Sequence, residues 1–315
     1  MIVLRNPAAA FEPHRRRLRG LAYRMLGSMA DAEDAVQETY LRWHRTDSDK
    51  VLDPASFLVT TAMRICIDML TSARARREEY VGPWLPEPVL DSTALAPDSH
   101  TELAEDLSVA LLLTLERLSP LERAAFLLHD VFDFSFKEVA AVLERSEVAC
   151  RKLAARAREH VREVRPRGAI VPPAHLGELD PEHARLLSAF MAAAQSGDLD
   201  AITRFLASDV RVMSDGGGKV RSTPEVIHGA DRAARLIVGV TRGGHADTWW
   251  RDDFTIRFAM VNGLPGVIVD APEGPVQTTA IEIEGGLIRA LYTVRNPEKL
   301  RHLATRTAPQ EGGLV

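Results

Sequence analysis

Residues 119–167 have the sequence SPLERAAFLLHDVFDFSFKEVAAVLERSEVACRKLAARAREHVREVRPR, which predicts the local structure in the middle of the chain. Ser119 followed by Pro120 predicts a helix start, because proline in the first turn loses no helical hydrogen bond. A short helix with Val139 and Leu143 facing inward follows, and a break at residues 144–146 separates it from a longer helix. Two helices joined by a tight turn, the second longer and basic, predict a helix-turn-helix.

The longer helix carries a dense set of cations: Arg151, Lys152, Arg156, Arg158 and Arg162. A solvated basic face on an ordinary bundle helix would have the same composition, but the preceding hairpin favours DNA binding. Residues 145–167 hold eight basic and three acidic side chains, although the whole chain has a net charge of −5. Phosphate affinity follows such local patches rather than the total charge. We therefore expect weak DNA binding by the chain alone and a partner that supplies the rest.

Residues 11–79 predict three helices, since apolar residues recur there at helical spacing. The second is expected to have Asp31 as its N-cap and acids in its first turn, which suits the helix dipole. The third is expected to begin at Asp53 and Pro54 and to end in the arginine-rich residues 74–77. A Pro-rich segment with WLPEP at 84–88 follows, and its prolines predict an extended tether.

The pattern changes after residue 182. Two helices are expected at 182–196 and 199–207, and alternating apolar and polar residues then predict strands, with a hairpin turn at Asn262 and Gly263. We expect a small α+β domain with its helices on one face of a curved antiparallel sheet.

Composition limits the class of protein. A chain of 315 residues, 46% of them hydrophobic, can form two or three domains with real cores. Cys66 and Cys150 form neither a disulfide framework nor a zinc spacing, which indicates a reducing compartment. Residues 1–10 do not resemble a signal peptide, and no apolar stretch is expected to cross a membrane. We expect a cytoplasmic protein with no cofactor and no bound metal.

Four motifs come in one order along the chain: DAEDAVQETYL at 31–41, RARR at 74–77 after Asp68, LSPLER at 118–123 and RARE at 156–159. In this order they resemble bacterial sigma factors of the extracytoplasmic-function group. The last third of the chain resembles a SnoaL-like domain of the NTF2-like fold, which one sigma subgroup carries. Three short motifs are similar to those of that subgroup: WLPEP at 84–88, DGGGK at 215–219 and NPEKL at 296–300.

The resemblance implies a multidomain fold: two all-α sigma domains, the second with the helix-turn-helix, followed by an α+β SnoaL-like cone domain. The implied boundaries are sigma region 2 at 1–80, a Pro-rich linker at 81–100, sigma region 4 at 101–165, a second linker at 166–181, the SnoaL-like regulatory domain at 182–305 and a tail at 306–315.

The resemblance also implies a function, which is to bind core RNA polymerase and direct it to specific promoters. The acidic helix would bind the clamp helices of the polymerase β′ subunit, with further contacts to the β subunit. The residues implied for polymerase binding are Asp31, Asp34, Gln37, Glu38 and Leu41. Those implied for the promoter −10 element are Arg64, Asp68, Arg74, Arg76 and Arg77. For the −35 element they are Glu147, Ala149, Arg151 and Lys152 toward bases and Arg156 and Arg158 toward phosphates.

By the same resemblance, the C-terminal domain would regulate the sigma domains in cis, and it could also hold a small ligand. The residues implied for this regulation are Trp84, Leu85, Pro86, Asp215, Gly216, Gly217, Gly218, Lys219, Asn296, Pro297 and Lys299. We expect a monomer when the protein is free of polymerase.

Two alternatives stay open. A SnoaL-like cyclase or isomerase fused to a helical DNA-binding module would need an acid–base pair inside the domain, and the polar candidates there are His228, His245, Arg257 and Tyr292. Their spacing fixes no pair, and a structural use of them is favoured. A simple DNA-binding repressor would leave the acidic helix and the arginine-ended helix unexplained.

Overall fold

The computed structural model describes residues 7–47, 51–77, 80–90, 95, 107–164, 179–241 and 253–304, and for 73–77 and 164 the backbone alone. The chain divides into two compact units. We call Met1–Glu79 with Asp91–Leu176 the helical unit, and Tyr80–Leu90 with Gly177–Val315 the C-terminal unit. Tyr80–Leu90, which we call the linker segment, therefore packs with the C-terminal unit although it lies in sequence between the helices.

The helical unit contains the predicted helices and one more, at Val109–Glu116, that the sequence pattern did not indicate. They are α1 (Pro7–Leu26), α2 (Met29–Arg45), α3 (Pro54–Arg77), α4 (Val109–Glu116), α5 (Pro120–Phe126), α6 (Phe136–Leu143) and α7 (Glu147–Val164). α5 continues into one π-helical turn at Leu127–Val131.

The start of α2 differs from the prediction. Gly27 ends α1 with φ 69°, and the extended Ser28 then accepts a hydrogen bond from the Asp31 amide at 3.1 Å. Ser28 is therefore the N-cap, and Asp31 lies in the first turn rather than at the cap. The cap of α3 is as predicted, because the Asp53 carboxylate accepts from the amides of Ala55 and Ser56.

Helix α3 is the most apolar of the long helices in the helical unit. Between Pro54 and Ser72 it is long and apolar enough to cross a membrane by length and composition, although the sequence analysis expected no such stretch. In the structure Leu58, Ala62 and Cys66 are fully buried within the helical unit. Its apolar character is that of a core helix.

The helix-turn-helix is formed as predicted by α6 and α7. Two capping boxes fix the helices that precede the turn. Ser119 exchanges hydrogen bonds with Glu122 at the start of α5, and Ser135 does the same with Glu138 at the start of α6. Because each box satisfies backbone groups at a helix start, the sequence sets these two boundaries locally.

The apolar stripe of α7 is formed by Cys150, Ala154, Ala157 and Val161, which are all buried. Val148 lies outside this stripe, because it is 60% exposed. It precedes Cys150 by two residues, about half a turn, so it points away from the core.

The C-terminal unit combines helices with one six-stranded sheet. Its helices are α8 (Pro181–Ser196), α9 (Leu199–Phe205), α10 (Ala230–Thr241) and α11 (Pro297–Ala304). Its strands are β1 (Leu206–Asp215), β2 (Ile227–His228), β3 (Thr255–Val261), β4 (Leu264–Ala271), β5 (Gly274–Glu284) and β6 (Leu287–Val294). No sequence pattern predicted α10 and α11.

The sheet has the strand order β2-β1-β6-β5-β4-β3 and is mixed. The expected antiparallel sheet is wrong at one place, because β1 and β6 pair in parallel, with Val212 opposite Leu291. The remaining neighbours are antiparallel, and the predicted turn joins β3 to β4, with φ 52° at Asn262 and φ 72° at Gly263. Parallel neighbours need a long connection, which the chain between β1 and β6 supplies.

Candidate functional site

The acidic face of α2 is open to solvent. Asp34, Gln37 and Leu41 are exposed, and Asp31 and Glu38 are partly exposed. Glu38 forms an i,i+4 ion pair with Arg42, with Nε 2.9 Å from Oε1. The face therefore presents carboxylates beside one exposed leucine.

Arg64 on α3 is engaged within the helical unit. Its Nη2 lies 2.9 Å from Oε1 of Glu144, and its Nε donates to the carbonyl of Val142 at 3.2 Å. The partner is thus the helix-turn-helix and not Asp68 one turn away, which is exposed. The other residues predicted for the −10 element, Arg74, Arg76 and Arg77, lie on the last turns of α3, and their side chains are outside the described residues.

Glu144 ends α6 in the left-handed conformation, with φ 55° and ψ 45°. For a residue with a Cβ this conformation costs about 1–2 kcal/mol. The carbonyl of Ala140 accepts from the Glu144 amide, which closes the end of α6. The same turn that orients α7 therefore carries the carboxylate that pairs with Arg64.

The cations of α7 differ in how tightly the protein holds them. Arg151 pairs with Glu147 at 2.8 Å and lies over the ring of Phe136. Arg158 is more restrained, because its Nε donates to Asp130 at 2.7 Å and its side chain is 31% exposed. Arg151 thus lies on the exposed face of α7, whereas Arg158 also connects α7 to the preceding π-helical turn through its bond to Asp130.

The remaining side chains predicted for the −35 element lie on or near the exposed face. Lys152 and Arg156 are exposed, and Glu147 and Ala149 are partly exposed. Arg156 makes one long ion pair with Glu122 at 3.8 Å.

A buried arginine that the sequence did not reveal joins α5 to α1 and α4. Arg123 is 2% exposed, and its Nη1 donates to the carbonyl of Met25 at 2.5 Å and to Glu116 at 2.9 Å. A charged residue inside a helical pattern gives no signal of burial, so only the tertiary contact identifies it.

Asp215 at the end of β1 is the centre of a polar cluster beneath the linker segment. Its side chain is 0% exposed. Oδ1 accepts from the Tyr80 hydroxyl at 2.5 Å and from the Gly217 amide at 3.0 Å. Oδ2 accepts from the Leu85 amide at 2.8 Å and from the Lys299 ammonium at 2.7 Å. Four donors thus surround one buried carboxylate, and two of them belong to the linker segment.

Lys299 on α11 holds the linker segment from the other side. Its ammonium donates to the carbonyl of Leu85 at 2.5 Å and lies 4.3 Å from the ring centre of Trp84. Asn296 adds a hydrogen bond from its Nδ2 to the Tyr80 hydroxyl at 3.0 Å. We call Asp215, Asn296 and Lys299 the linker-binding site.

Burial raises the pKa of Tyr80, and its hydrogen bond to Asp215 raises it further. The hydroxyl therefore stays protonated and donates to the carboxylate.

The glycines of the DGGGK motif allow the loop to come close to this site. Gly217 has φ 60°, and a Cβ there would lie 2.2 Å from Nδ2 of Asn296. Gly218 has φ 69°, and its Cβ would meet Val81 at 3.1 Å. Both positions therefore require glycine for conformation and for space. Lys219 lies at the rim, paired with Glu298.

The far end of the linker segment is held by backbone pairing. The amide of Val89 donates to Oδ1 of Asn262 at 3.1 Å, and its carbonyl accepts from the Asn262 amide at 2.7 Å. Pro88 offers its carbonyl to His302 at 2.7 Å. The prolines exclude a regular helix, and residues 80–90 lie in no helix or strand, so the backbone groups of the segment remain open to these partners.

The C-terminal unit contains a cavity of about 610 Å³ between α8, α10 and the sheet. None of the polar candidates for an acid–base pair that the structure describes lines it. His228 is exposed, Arg257 pairs with Asp270 at 2.6 Å, and Tyr292 donates to Glu282 at 2.8 Å. His245 lies outside the described residues.

Two family models match the helical part of the chain. A model of sigma-70 region 2 matches residues 10–76, and a model of sigma-70 region 4 matches residues 108–161.

Full-length relatives are also similar. The ECF RNA polymerase sigma factor SigJ of Mycobacterium tuberculosis is 39% identical over 298 residues, which cover 92% of this chain and 91% of SigJ. A probable ECF RNA polymerase sigma factor of that species, SigI, is 31% identical and covers 93% of this chain and 94% of its own length. The crystal structure of M. tuberculosis SigJ matches with a TM-score of 0.69 and 36% identity, covering 93% of this chain and 98% of that one. The similarity thus includes the C-terminal unit.

Proposed function

Because the chain belongs to the family of extracytoplasmic-function RNA polymerase sigma factors, which direct transcription initiation, we propose that its C-terminal unit modulates that activity in cis by holding the linker segment. The observation that carries this proposal is the buried carboxylate of Asp215, which accepts from both Tyr80 and Leu85. A buried charge is retained only where its partners compensate the loss of water. Loss of the linker segment would remove two of those partners.

The linker segment lies in the connection between α3 and α4. This connection joins the two halves of the helical unit, which are α1–α3 and α4–α7. The distance that two halves can reach depends on how many residues between them are free to extend, at about 3.3–3.6 Å for each residue. Fixing Tyr80–Leu90 shortens the free connection. We propose that the C-terminal unit in this way limits how far the two promoter-binding halves can separate.

We propose the following assignment of the chain. Residues 1–80 act as sigma region 2 and 101–165 as sigma region 4, residues 81–100 and 166–181 connect the domains, and 182–305 form the regulatory domain with a tail at 306–315. The fixed linker segment and the match to SigJ over most of the chain support this division.

We propose that the acidic face of α2 binds the clamp helices of the polymerase β′ subunit. The exposed carboxylate of Asp34 beside the exposed Leu41 supports this, since an acidic face with one apolar residue complements a basic partner helix. The proposed −10 residues are Arg64, Asp68, Arg74, Arg76 and Arg77, and the proposed −35 residues are Glu147, Ala149, Arg151, Lys152, Arg156 and Arg158.

The contact between Arg64 and Glu144 bears on how these surfaces are used. In the structure the Arg64 guanidinium contacts Glu144 and Val142 of the helix-turn-helix, so it is not free to bind a promoter strand. We infer that the two halves of the helical unit separate at this contact when the protein binds polymerase and promoter, and that the free protein is a monomer in the closed arrangement.

The cyclase or isomerase alternative receives no support from the cavity, because its described lining residues include no aspartate, glutamate or histidine. General acid–base catalysis needs such groups within reach of the substrate.

Deletion of residues 168–315, which removes the C-terminal unit except its linker segment, tests the proposal. A chain ending at residue 167 is expected to start transcripts at the same promoter position as the full chain when each is added to core polymerase, but in a different amount. An equal amount of transcript from both chains would remove the regulatory role. Loss of all specific transcripts would show instead that the C-terminal unit is needed for promoter recognition.

A further inference from the structure

The cavity of the C-terminal unit has an apolar interior and a cationic rim. Its apolar walls come from α8, α10 and the sheet, and include Phe190, Met191, Val267, Ile281 and Leu291. A volume of about 610 Å³ lies within the usual range of small-molecule pockets.

Three arginines line the cavity, namely Arg221, Arg235 and Arg295, and no acidic residue does so among the described lining residues. Arg221 and Arg235 are exposed and make no ion pair with any residue that the structure describes. Guanidinium groups of like charge around one cavity repel each other, so an anion placed among them would lower the free energy.

Arg295, which follows β6, is the most enclosed of the three. Its Nη1 donates to the carbonyl of Arg221 at 2.5 Å. Burial lowers the pKa of Arg295 to about 10, so the guanidinium is desolvated and still charged at neutral pH. A partly desolvated guanidinium interacts more strongly with an anion than one in water does.

We propose that this cavity binds a small apolar molecule that carries one anionic head group, with the head group at Arg295, Arg221 and Arg235 and the apolar body against the walls. Carboxylate and phosphate head groups both match the planar donor pattern of arginine. The hydroxyls of Thr279 and Thr293, which lie 3.1 Å apart, add polar groups to the cavity wall.

The position of the arginines links the cavity to the linker-binding site. Arg295 precedes Asn296, and both of their amides donate to the carbonyl of Asp215. The loop from Gly216 to Arg221 connects Asp215 to the cavity rim. A ligand that draws Arg295 or Arg221 inward would therefore act on the residues that hold Tyr80. This regulatory consequence rests on the proposed function, whereas the binding of a ligand to the cavity does not.

Binding can be tested with a matched pair of dyes. 1-Anilinonaphthalene-8-sulfonate and N-phenyl-1-naphthylamine share one aromatic body and differ in the sulfonate. We expect the full chain to bind one molecule of the anionic dye. Arg295→Met should lower the affinity for that dye at least tenfold and change the affinity for the neutral dye by less than twofold. Arg232→Met, which changes an exposed arginine of α10 outside the cavity, should bind both dyes like wild type.

A blocking variant shows where the dyes bind. Gly239 lines the cavity and a Cβ there meets nothing within 4 Å, so Gly239→Trp adds an indole beside the cavity without a backbone clash and should weaken the binding of both dyes. Should Arg295→Met fail to fold, the double variant of the exposed Arg221→Met and Arg235→Met is expected to weaken the anionic dye alone. Decanoate and decyl phosphate should both displace the anionic dye, whereas decanol, which has no charge, should not. The anion that displaces the dye at the lower concentration identifies the preferred head group.

The proposal is overturned if neither dye binds, if Arg295→Met weakens both dyes alike, or if Gly239→Trp leaves binding unchanged. The regulatory consequence is measured separately, as the exchange rate of the Leu85 amide with and without decanoate. Binding without a change in that rate would leave the ligand site standing and would contradict only its link to the linker segment.

Discussion

The ammonium of Lys299 lies 2.7 Å from the carboxylate of Asp215, and the two side chains are 9% and 0% exposed. The pair lies directly beneath Leu85, which receives a hydrogen bond from the lysine and donates one to the aspartate. Removal of one partner from a buried pair leaves an uncompensated charge and typically costs about 3–5 kcal/mol. The hold on the linker segment therefore depends on both charges.

The Leu85 amide provides a direct readout of this hold. We expect Lys299→Met to raise its hydrogen-exchange rate strongly, because the carboxylate it binds loses its counter-charge and the segment opens more often. Arg301→Met, on the same helix with a side chain 77% exposed, is the matched control and should exchange like wild type. Equal protection of Leu85 in all three proteins would mean that the ion pair does not hold the segment.

Tyr80 should titrate abnormally. Burial and the bond to Asp215 raise its pKa above the ordinary value of 10. The folded state therefore holds this proton more tightly than the unfolded state, so its contribution to docking is complete below pH 10 and is lost as the pH rises through the raised pKa. The ultraviolet difference between wild type and Tyr80→Phe should show a tyrosinate that forms only above pH 10. A normal titration at pH 10 would place the hydroxyl in solvent.

The turn of the helix-turn-helix offers a stability test. Glu144→Gly removes the cost of a left-handed glutamate and also the exposed pair with Arg64, which contributes at most about 1 kcal/mol. We expect native-state hydrogen exchange of α6 to report unchanged or slightly higher stability, by up to about 1 kcal/mol. Glu144→Gln, which keeps the strain and loses the charge, should be the less stable of the two variants, and the reverse order would contradict this account of the turn.

The parts of the fold that follow local rules could be predicted from the sequence. Ser119, Ser135 and Asp53 mark helix starts because each supplies its own cap, and Asn262 with Gly263 marks a hairpin because both adopt positive φ. Asp31 was wrongly placed at a cap because Ser28 three residues earlier offers an equivalent oxygen, and sequence alone does not rank the two.

Features that depend on distant parts of the chain could not be predicted. The parallel pairing of β1 with β6 joins segments about 80 residues apart, and no local pattern specifies it. The DGGGK and NPEKL motifs were identified by resemblance only, and the structure brings Asp215 and Lys299 together with Leu85. Nothing in the sequence indicated that Arg295 lines a cavity, since the cavity exists only after α8, α10 and the sheet assemble.

The recognition face of α7 should separate base reading from phosphate binding. Arg151→Ala is expected to relax the preference at one position of the −35 element by about 1–3 kcal/mol. The Arg156 side chain is 68% exposed. Arg156→Ala should weaken binding to all promoter sequences alike and reduce the salt dependence of binding. Affinities for a panel of −35 variants, measured for polymerase containing each protein, test the division, which equal losses in both variants would contradict.

Val148 is a further candidate on the same face, because it is exposed at the start of α7 where an apolar side chain can meet a thymine methyl group. Val148→Ser is expected to reduce the preference for thymine at one −35 position without changing the stability of the helix. If the same panel shows an unchanged preference at every position, Val148 does not contact a base.

The acidic face of α2 should govern polymerase binding. Asp34→Arg combined with Glu38→Arg is expected to abolish capture of core polymerase while leaving the helical content intact, since both carboxylates lie outside the core. Glu159→Arg with Glu163→Arg makes the same change of charge on exposed positions of α7 and should leave capture unchanged when no DNA is present. Retention of core polymerase by the first variant would move the polymerase-binding surface elsewhere.

Run-off transcription by core polymerase with wild type, Lys299→Met or Arg301→Met tests whether docking of the linker segment controls initiation. If docking of the linker segment modulates initiation, Lys299→Met will change the amount of transcript at least twofold from an unchanged start site, and Arg301→Met will match wild type. The claim is contradicted if the Lys299→Met protein, with its Leu85 amide exchanging freely, gives the wild-type amount.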